Sequence, residues 1–500
     1  MPSIGIVDLG SNNARMVVFE YEPARWFRLV DVIREPVRLG EGLGASGAMT
    51  REAIERGVAA LDLFSDYAAA AGLDELKTIG TSALRDASNR QLFARAIDPL
   101  GFNVEVLSGA EEARRGVLAV ANGFAFPDAW VMDLGGGSAQ ISRMEQRKAV
   151  VGTAFPLGGV RLTESFLSSV PPRRSEVRAL ERRVAELLAP NVKAMRKERL
   201  PLIAMGGTIR NLARMMQKRR AYPLDVLHGY FMRRTELEEA VKLLLAASPR
   251  ERARLPGINA DRADVILAGA LVYRLLLRAT KYDGIWISGH GVREGTFYRS
   301  FLKPPHRLRD VRAFSIANLA ARYGLEAPHH GHVRRLAAQL FNGLAPLHGM
   351  GEKDSQLLDA AALLHDIGIA VDFYRHHRHG AYVLGSDALP GFTHREQALL
   401  QLLVRYHHGG TPRLEGYEAL LQTGDKRLVA RLAVCLRLAE SLERSQAGRV
   451  RKVNVELRDD SVLLHLIARE QPAVELWETA KHGALFQQAF GKRLALRTAA

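Results

Sequence analysis

A single cysteine, Cys435, in 500 residues excludes an intrachain disulfide and fits a reducing compartment. No apolar run approaches the ~18 residues that a membrane-spanning helix needs, so no membrane partner is expected. The first apolar strand begins almost at Met1, so no secretory leader is expected and the default is a cytoplasmic protein. Carboxylates are also scarce: Asp+Glu number 54 against 70 Lys+Arg, a formal charge of +16. An excess of that size draws polyanions to the surface in a salt-dependent way, and nucleic acid, nucleotides and inorganic polyanions all qualify. Hydrophobic content of 47% and charged content of 25% are those of a globular protein. At ~150 residues per domain, the length calls for roughly three domains.

What is present is organised around WVMDLGGGSAQIS, Trp130 to Ser142. An apolar run delivers Asp133 into Gly135-Gly136-Gly137-Ser138, and a strand pattern resumes at Ala139. Consecutive glycines let the backbone turn sharply and come close to a ligand, with N–H groups free to cradle phosphate oxygens. An aspartate at such a strand end sits where a metal ion or an attacking water would be held. The same form appears earlier as IGIVDLGSNNARMVVFEY from Ile4, with Asp8, Gly10 and Ser11 at the turn. Two strand–Asp-Leu-Gly–strand hairpins point to two related lobes, each giving a phosphate-binding loop to one cleft.

In chain order, a third strand over Phe27–Ile33 leads through a Gly-rich loop to a helix near Thr50. A strand over Leu76–Ile79 ends in GTSALRDASN, where Arg85 is placed to grip an anion. A short strand, Val104–Leu107, meets Ser108-Gly109 and a helix opening with Glu111 and Glu112. Glutamates there are ordinary partners of the helix dipole, and beside two phosphate loops one of them is also placed to act on water. A basic amphipathic helix is expected over Arg174–Lys197, and PLIAMGGTIRNLARMM gives a strand, a Gly206-Gly207-Thr208 turn and a helix start, a third anion loop. A helix from Asp261 to Ala279 precedes GIWISGHGVREGTFY, with Arg293 in the opening turn of the next helix. Strands and helices alternate to about residue 300, so the class there is α/β.

Lys303-Pro304-Pro305 reads as a linker, and the texture changes after it: 14 of the 16 histidines follow residue 300. The region to Arg449 is mostly helical and contains LLHDIG with His365 and Asp366, His332 upstream, and Glu440 late on a helix. Histidines and carboxylates on successive helices can converge on a divalent metal. The last segment reads as a hairpin turning at Asp459-Asp460, then a final helix.

The set DLGSNNAR, GTSALRDASN, SGAEEARRG, VMDLGGGS, AMGGTIRNLA and ISGHGVREG, in this order, resembles the exopolyphosphatase and guanosine pentaphosphate phosphohydrolase family. The LLHDIG region resembles the HD-type helical domain of its longer members. The resemblance implies two ribonuclease-H-like, actin-like lobes (1–124 and 125–303), an HD-like helical domain (304–449) and a small α/β segment (450–500). It also implies roles. Glu112 matches the family's catalytic base, and Asp133 matches the aspartate associated with metal and water, with Asp8 as its partner on the ion. Asp8, Gly10, Ser11, Asn12 and Arg15 match the first phosphate loop, and Gly135, Gly136, Gly137 and Ser138 the second. Gly207 and Thr208 match the third loop, while Arg85 and Arg293 are further phosphate contacts.

Mg²⁺ or Mn²⁺ is the implied cofactor, with K⁺ as a further ion, and the implied substrate is inorganic polyphosphate trimmed from its end. Guanosine pentaphosphate is the alternative, and a non-hydrolytic actin-type nucleotide-binding regulator is the alternative of another class. Nucleic acid is not expected as a substrate, and the family implies a homodimer through the helical region. In one respect the sequence departs from the pattern: Ala139 and Gln140 replace a hydroxyl and a carboxylate after GGGS, which points to weaker metal binding. His332, His365, Asp366 and Glu440 make a candidate second metal site, set against a structural role for that region in closing a polyphosphate channel.

Overall fold

β1 (Ser3–Leu9) and β2 (Ala14–Glu22) form the first hairpin in this computed structural model, which describes residues 1–499. Ile4, Ile6, Val7 and Leu9 are fully buried, which makes β1 the centre of its sheet. Each such side chain contributes roughly 1.5–3 kcal/mol on burial. β1 pairs antiparallel with β2 and parallel with β4 (Glu75–Gly80). With β3 (Trp26–Glu35) and β5 (Val104–Val106) the order is β3-β2-β1-β4-β5.

The second sheet repeats that arrangement. β6 (Ala129–Leu134) pairs antiparallel with β7 (Ala139–Glu145) and parallel with β9 (Leu202–Met205). β8 (Lys148–Phe155), β10 (Phe231–Arg233) and β11 (Gly284–Ile287) complete the order β8-β7-β6-β9-β11-β10. β6 therefore holds the place of β1, and the two Asp-Leu-Gly turns occupy equivalent positions in two ribonuclease-H-like lobes. The helix Ile266–Thr280 is buried around most of its circumference and packs in the second lobe's core. By contrast, Arg174–Glu198 buries only Leu180, Val184, Leu188 and Met195, one narrow stripe on an otherwise polar helix.

The chain divides into two compact units: Met1–Tyr222 with Leu227–Val311, and Pro223–Val226 with Arg312 onward. The second unit gathers the helices Pro328–Gly343, Glu352–Leu364, His376–Ser386, His394–Tyr406 and Asp425–Ser441 around one core. It ends in a three-stranded sheet: β12 (Val450–Leu457) antiparallel to β13 (Ser461–Ala468), and β13 parallel to β14 (Arg493–Ala499). Where the sequence reads as one final helix there are two, Ala473–Ala480 and Gly483–Phe490, followed by β14. A parallel return needs a crossover, and these helices supply it. Among the described residues, no helix is long and apolar enough to cross a membrane.

Candidate active site

The two hairpin turns are closed in the same way. Gly10 N–H donates to the Asn13 carbonyl at 3.1 Å, and Gly135 N–H to the Ser138 carbonyl at 2.9 Å. They face a cleft of about 120 Å³ lined by Asp8, Gly10, Ser11, Asn12, Arg15, Glu112, Asp133, Gly135, Gly136, Ser138, Gly207 and Arg293. Gln140, the departure from the family pattern, is buried and donates to Ser138 Oγ at 2.9 Å, so it fixes that hydroxyl. Three expected contacts sit just behind the lining. Gly137 offers its carbonyl to Arg161 Nε at 3.1 Å, Thr208 is buried against Gly269, and Arg85 reaches Glu112.

The glycines of the third loop are there for two different reasons. Gly206 has φ +102°, and a Cβ on it would meet the Leu134 carbonyl oxygen at 2.5 Å and Asp133 Oδ1 at 3.0 Å. A Cβ on Gly207 would lie 2.2 Å from Arg262 Cζ. The bare backbone thus leaves room for the aspartate on one side and a guanidinium over the helix N-terminus on the other.

Ser108 caps the helix Gly109–Ala121, its Oγ accepting from Glu111 N–H at 3.1 Å, which leaves Glu112 turned inward and buried. Arg85 Nη1 donates to Glu112 Oε2 at 2.9 Å and to the Leu107 carbonyl at 3.0 Å. Burial pushes the Glu112 carboxyl up to about 7; Arg85 opposes this, and the charges of Asp133 and Asp8 add to it. Burial also lifts Asp133 to about 6, with Arg210 opposing and Asp8 adding. Asp8 is raised by burial against the pull of Arg293 and Arg15. A carboxylate near 7 is balanced to take a proton from water.

The positive side of the cleft is richer than the sequence reading has it. Arg210 and Arg262 join Arg15 and Arg293 in the lining, as do Asn13, Thr81, Ser82, Gly206, Gly291 and Val292. Arg210 is held by the carbonyls of Ser288 and His290, each at 2.9 Å. Burial, then Arg293, Arg262, Arg34 and Arg210, pull Arg15 down to about 8, the mark of cations crowded together. Arg262 is pulled down to about 10, by burial first and then by its arginine neighbours. The lobes are joined across the cleft mouth. Asn13 Nδ2 donates to Asp261 Oδ2 at 2.9 Å, Arg262 Nη2 donates to Asn13 Oδ1 at 3.2 Å, and Arg34 pairs with Asp261. Arg210 carried a readable signal, since it follows Gly207 by three residues in the opening turn, much as Arg293 follows Gly291. Arg262 did not, because the expected helix from Asp261 is a short 3₁₀ turn, Ala260–Arg262, separated from Ile266–Thr280.

The donors near the reacting position are oxygens, Asp8 and Asp133, which suit a hard ion such as Mg²⁺. Both are half-buried in the cleft wall, and the charge of Asp8 disfavours ionisation of Asp133, a conflict that a cation relieves. These residues fit the expected ion.

In the second unit, His365 and Asp366 follow the helix Glu352–Leu364 as expected, but His332 lies apart from them. Its Nε2 donates to the Val450 carbonyl at 2.8 Å and its Nδ1 accepts from Arg335 at 2.7 Å. His329, one helical turn earlier, is the histidine beside His365 and Asp366. Glu440 lies within electrostatic reach of both; burial pushes its carboxyl up to about 7, with His365 opposing and Asp366 adding.

Two ribonuclease-H-like lobes that bring duplicated glycine turns, buried carboxylates and a cluster of arginines to one cleft have the make-up of a phosphoryl-transfer enzyme. The Ppx/GppA phosphatase family description matches residues 17–304, and the description of domain III of the same family matches 311–475. The chain belongs to the Ppx/GppA phosphatase family and is a phosphoanhydride hydrolase. It is 28% identical over 443 residues to the guanosine-5'-triphosphate,3'-diphosphate pyrophosphatase of Vibrio vulnificus, covering 87% of each chain. An exopolyphosphatase from Cytophaga hutchinsonii superposes with a TM-score of 0.56 at 25% identity, covering 60% of this chain and 97% of that one. The Aquifex aeolicus PPX-GPPA enzyme gives 0.50 at 25% identity over 59% and 98%.

Proposed function

We propose that the chain is an exopolyphosphatase, removing the terminal phosphate from inorganic polyphosphate. The observation that carries this reading is the cleft itself: about 120 Å³, lined by four arginines and three carboxylates. Pockets that enclose a drug-sized ligand run to about 300–1,000 Å³, so this one fits a chain end presented phosphate first. The charge of +16 favours capture of a long polyanion, and repeated trimming without release fits it.

Phosphoryl transfer asks mainly for alignment and charge neutralisation. The turn N–H groups and the arginines Arg15, Arg210, Arg262 and Arg293 hold the terminal phosphate. Glu112, held by Arg85, takes a proton from water as the water oxygen bonds to phosphorus opposite the anhydride bond. That bond breaks and its oxygen leaves on the shortened chain. Mg²⁺, held by Asp8 and Asp133, would add charge neutralisation when bound.

A second reading, hydrolysis of guanosine pentaphosphate, is favoured by the Vibrio vulnificus relative, whose similarity runs through both units. Both substrates present a terminal phosphate on an anhydride. Phosphate release from long-chain polyphosphate and from guanosine pentaphosphate, measured side by side with Mg²⁺, separates them. A kcat/KM higher on the nucleotide overturns the first reading, and no release from either overturns both.

A further inference from the structure

One face of the helix Asp425–Ser441 carries Lys426, Ala430, Ala433 and Arg437, spaced by four, three and four residues, so they fall in a row. Arg427, Arg431 and Val434 lie beside that row. Small residues between long cationic ones leave a hollow, and the helix Gly483–Phe490 and the segment Thr411-Pro412 wall it in. The result is a cavity of about 710 Å³ inside the second unit, a size that encloses a small organic molecule.

Four cations line it, Lys426, Arg427, Arg431 and Arg437, and among the described residues no carboxylate does. Other arginines of this unit are neutralised by acids: Arg312 by Glu396, Arg322 by Asp387, Arg334 by Asp359 and Arg395 by Asp425. Arg431 and Arg437 are held by backbone carbonyls instead. Arg431 donates to Ala489 at 3.3 Å and to His348 at 3.1 Å. Arg437, only 2% exposed, donates to Tyr406 at 2.6 Å and to Gly410 at 2.5 Å. A carbonyl fixes a guanidinium without cancelling its charge, and Arg431 Nη2 and Arg437 Nη1 keep their protons uncommitted among the described residues. Burial lowers the pKa of Arg437 with Glu440 opposing, yet Glu440 is paired with Arg444. A buried cation without a counterion is costly, so the cavity is short of one anion.

The rest of the lining points to the body of that anion. Pro412, Ala430, Ala433, Val434, Leu485 and Ala489 are aliphatic, and a bare inorganic anion would leave them wet. Among the described residues no aromatic ring lines the cavity for a nucleobase to stack on, and no carboxylate is there to accept from its amino group. An aliphatic chain with an acidic head meets both conditions.

We propose that this cavity binds a free aliphatic anion, a saturated chain ending in phosphate or carboxylate. The head lies on the guanidinium groups of Arg431 and Arg437, and the chain lies against Ala430, Ala433 and Leu485. Both heads offer a guanidinium the same charged oxygens. The site shares no residue with the phosphate-binding cleft.

The test titrates the full-length protein in a calorimeter with dodecyl phosphate and with dodecanoate, each below its micelle concentration. Saturable binding of one molecule per chain is expected, and the tighter of the two identifies the preferred head; binding of neither overturns the proposal. Arg427→Glu, at the exposed rim, should weaken binding roughly tenfold. Ala430→Trp, which fills the hollow, should abolish it with an unchanged circular dichroism spectrum. If that variant does not fold, Arg427→Glu carries the decision. Arg196→Glu, an equal change of charge on the first unit, should leave binding as it was, and equal weakening by both reversals overturns the proposal. Displacement of dodecyl phosphate by inorganic polyphosphate at matched ionic strength would make the cavity a polyphosphate subsite, and binding only to phosphatidylglycerol vesicles would make it a lipid-surface contact. Either outcome also overturns it.

Discussion

Glu112 keeps its proton up to about pH 7 because burial outweighs the attraction of Arg85. In the proposed mechanism its basic form is the one that works, so kcat/KM should rise with pH up to about 7 and level off above it. Glu112→Gln keeps the size and removes the base; turnover should fall by ~10²–10⁴, with polyphosphate binding largely kept. Arg85 acts through Glu112, so Arg85→Gln should move the acid limb of the pH–rate profile upward, because a cation that lowers the carboxyl's pKa is gone. An acid limb left in place would return Arg85 to the role of a plain phosphate contact. Asp133→Asn should shift the Mg²⁺ activation curve to higher concentration, and an unchanged curve would take Asp133 off the metal.

At the scale of elements, Gly206 is the position with least freedom to change. A Cβ there meets a carbonyl of β6 and the Asp133 carboxylate at a φ that L side chains rarely adopt. Gly206→Ala should destabilise the protein by ~1–3 kcal/mol, seen as a lower melting temperature. The paired hairpins were legible because Asp-Leu-Gly ends an apolar run in both β1 and β6 and strand patterning resumes at once. Glu112 on its helix was legible through the SGAEEA motif. What escaped was set by helix phase and by breaks in helices. His329 and His332 share a face of one helix, and the approach of β12, which gives His332 the Val450 carbonyl, leaves His329 beside Asp366. Arg262 reaches the cleft only because its 3₁₀ turn stops before Ile266, a break with no Gly or Pro to announce it. Asp261 gave no sign of meeting Asn13 and Arg34, since ion pairs between lobes leave no local pattern.

For the whole molecule, each unit buries its own apolar cluster, so a chain ended at Asp310 should fold. We expect it to release phosphate from short chains but to lose repeated trimming of long ones. The salt dependence of long-chain binding should flatten as cationic contacts are removed, by analogy with nucleic-acid polyanions. A truncated protein that still trims long chains without release would assign that behaviour to the first unit alone, provided circular dichroism shows the lobes intact.

The crowding of Arg15, Arg34, Arg210, Arg262 and Arg293 has a consequence for handling and for regulation. Cations that depress one another's pKa hold unspent attraction for any small oxyanion, and orthophosphate is the reaction's own product. A ligand that binds only the folded state raises apparent stability with its concentration. The protein will melt higher in phosphate buffer than in an amine buffer of equal ionic strength, and will slow as orthophosphate accumulates. Turnover measured at rising orthophosphate should fall accordingly, and a rate indifferent to orthophosphate would show that the crowded arginines do not retain the product.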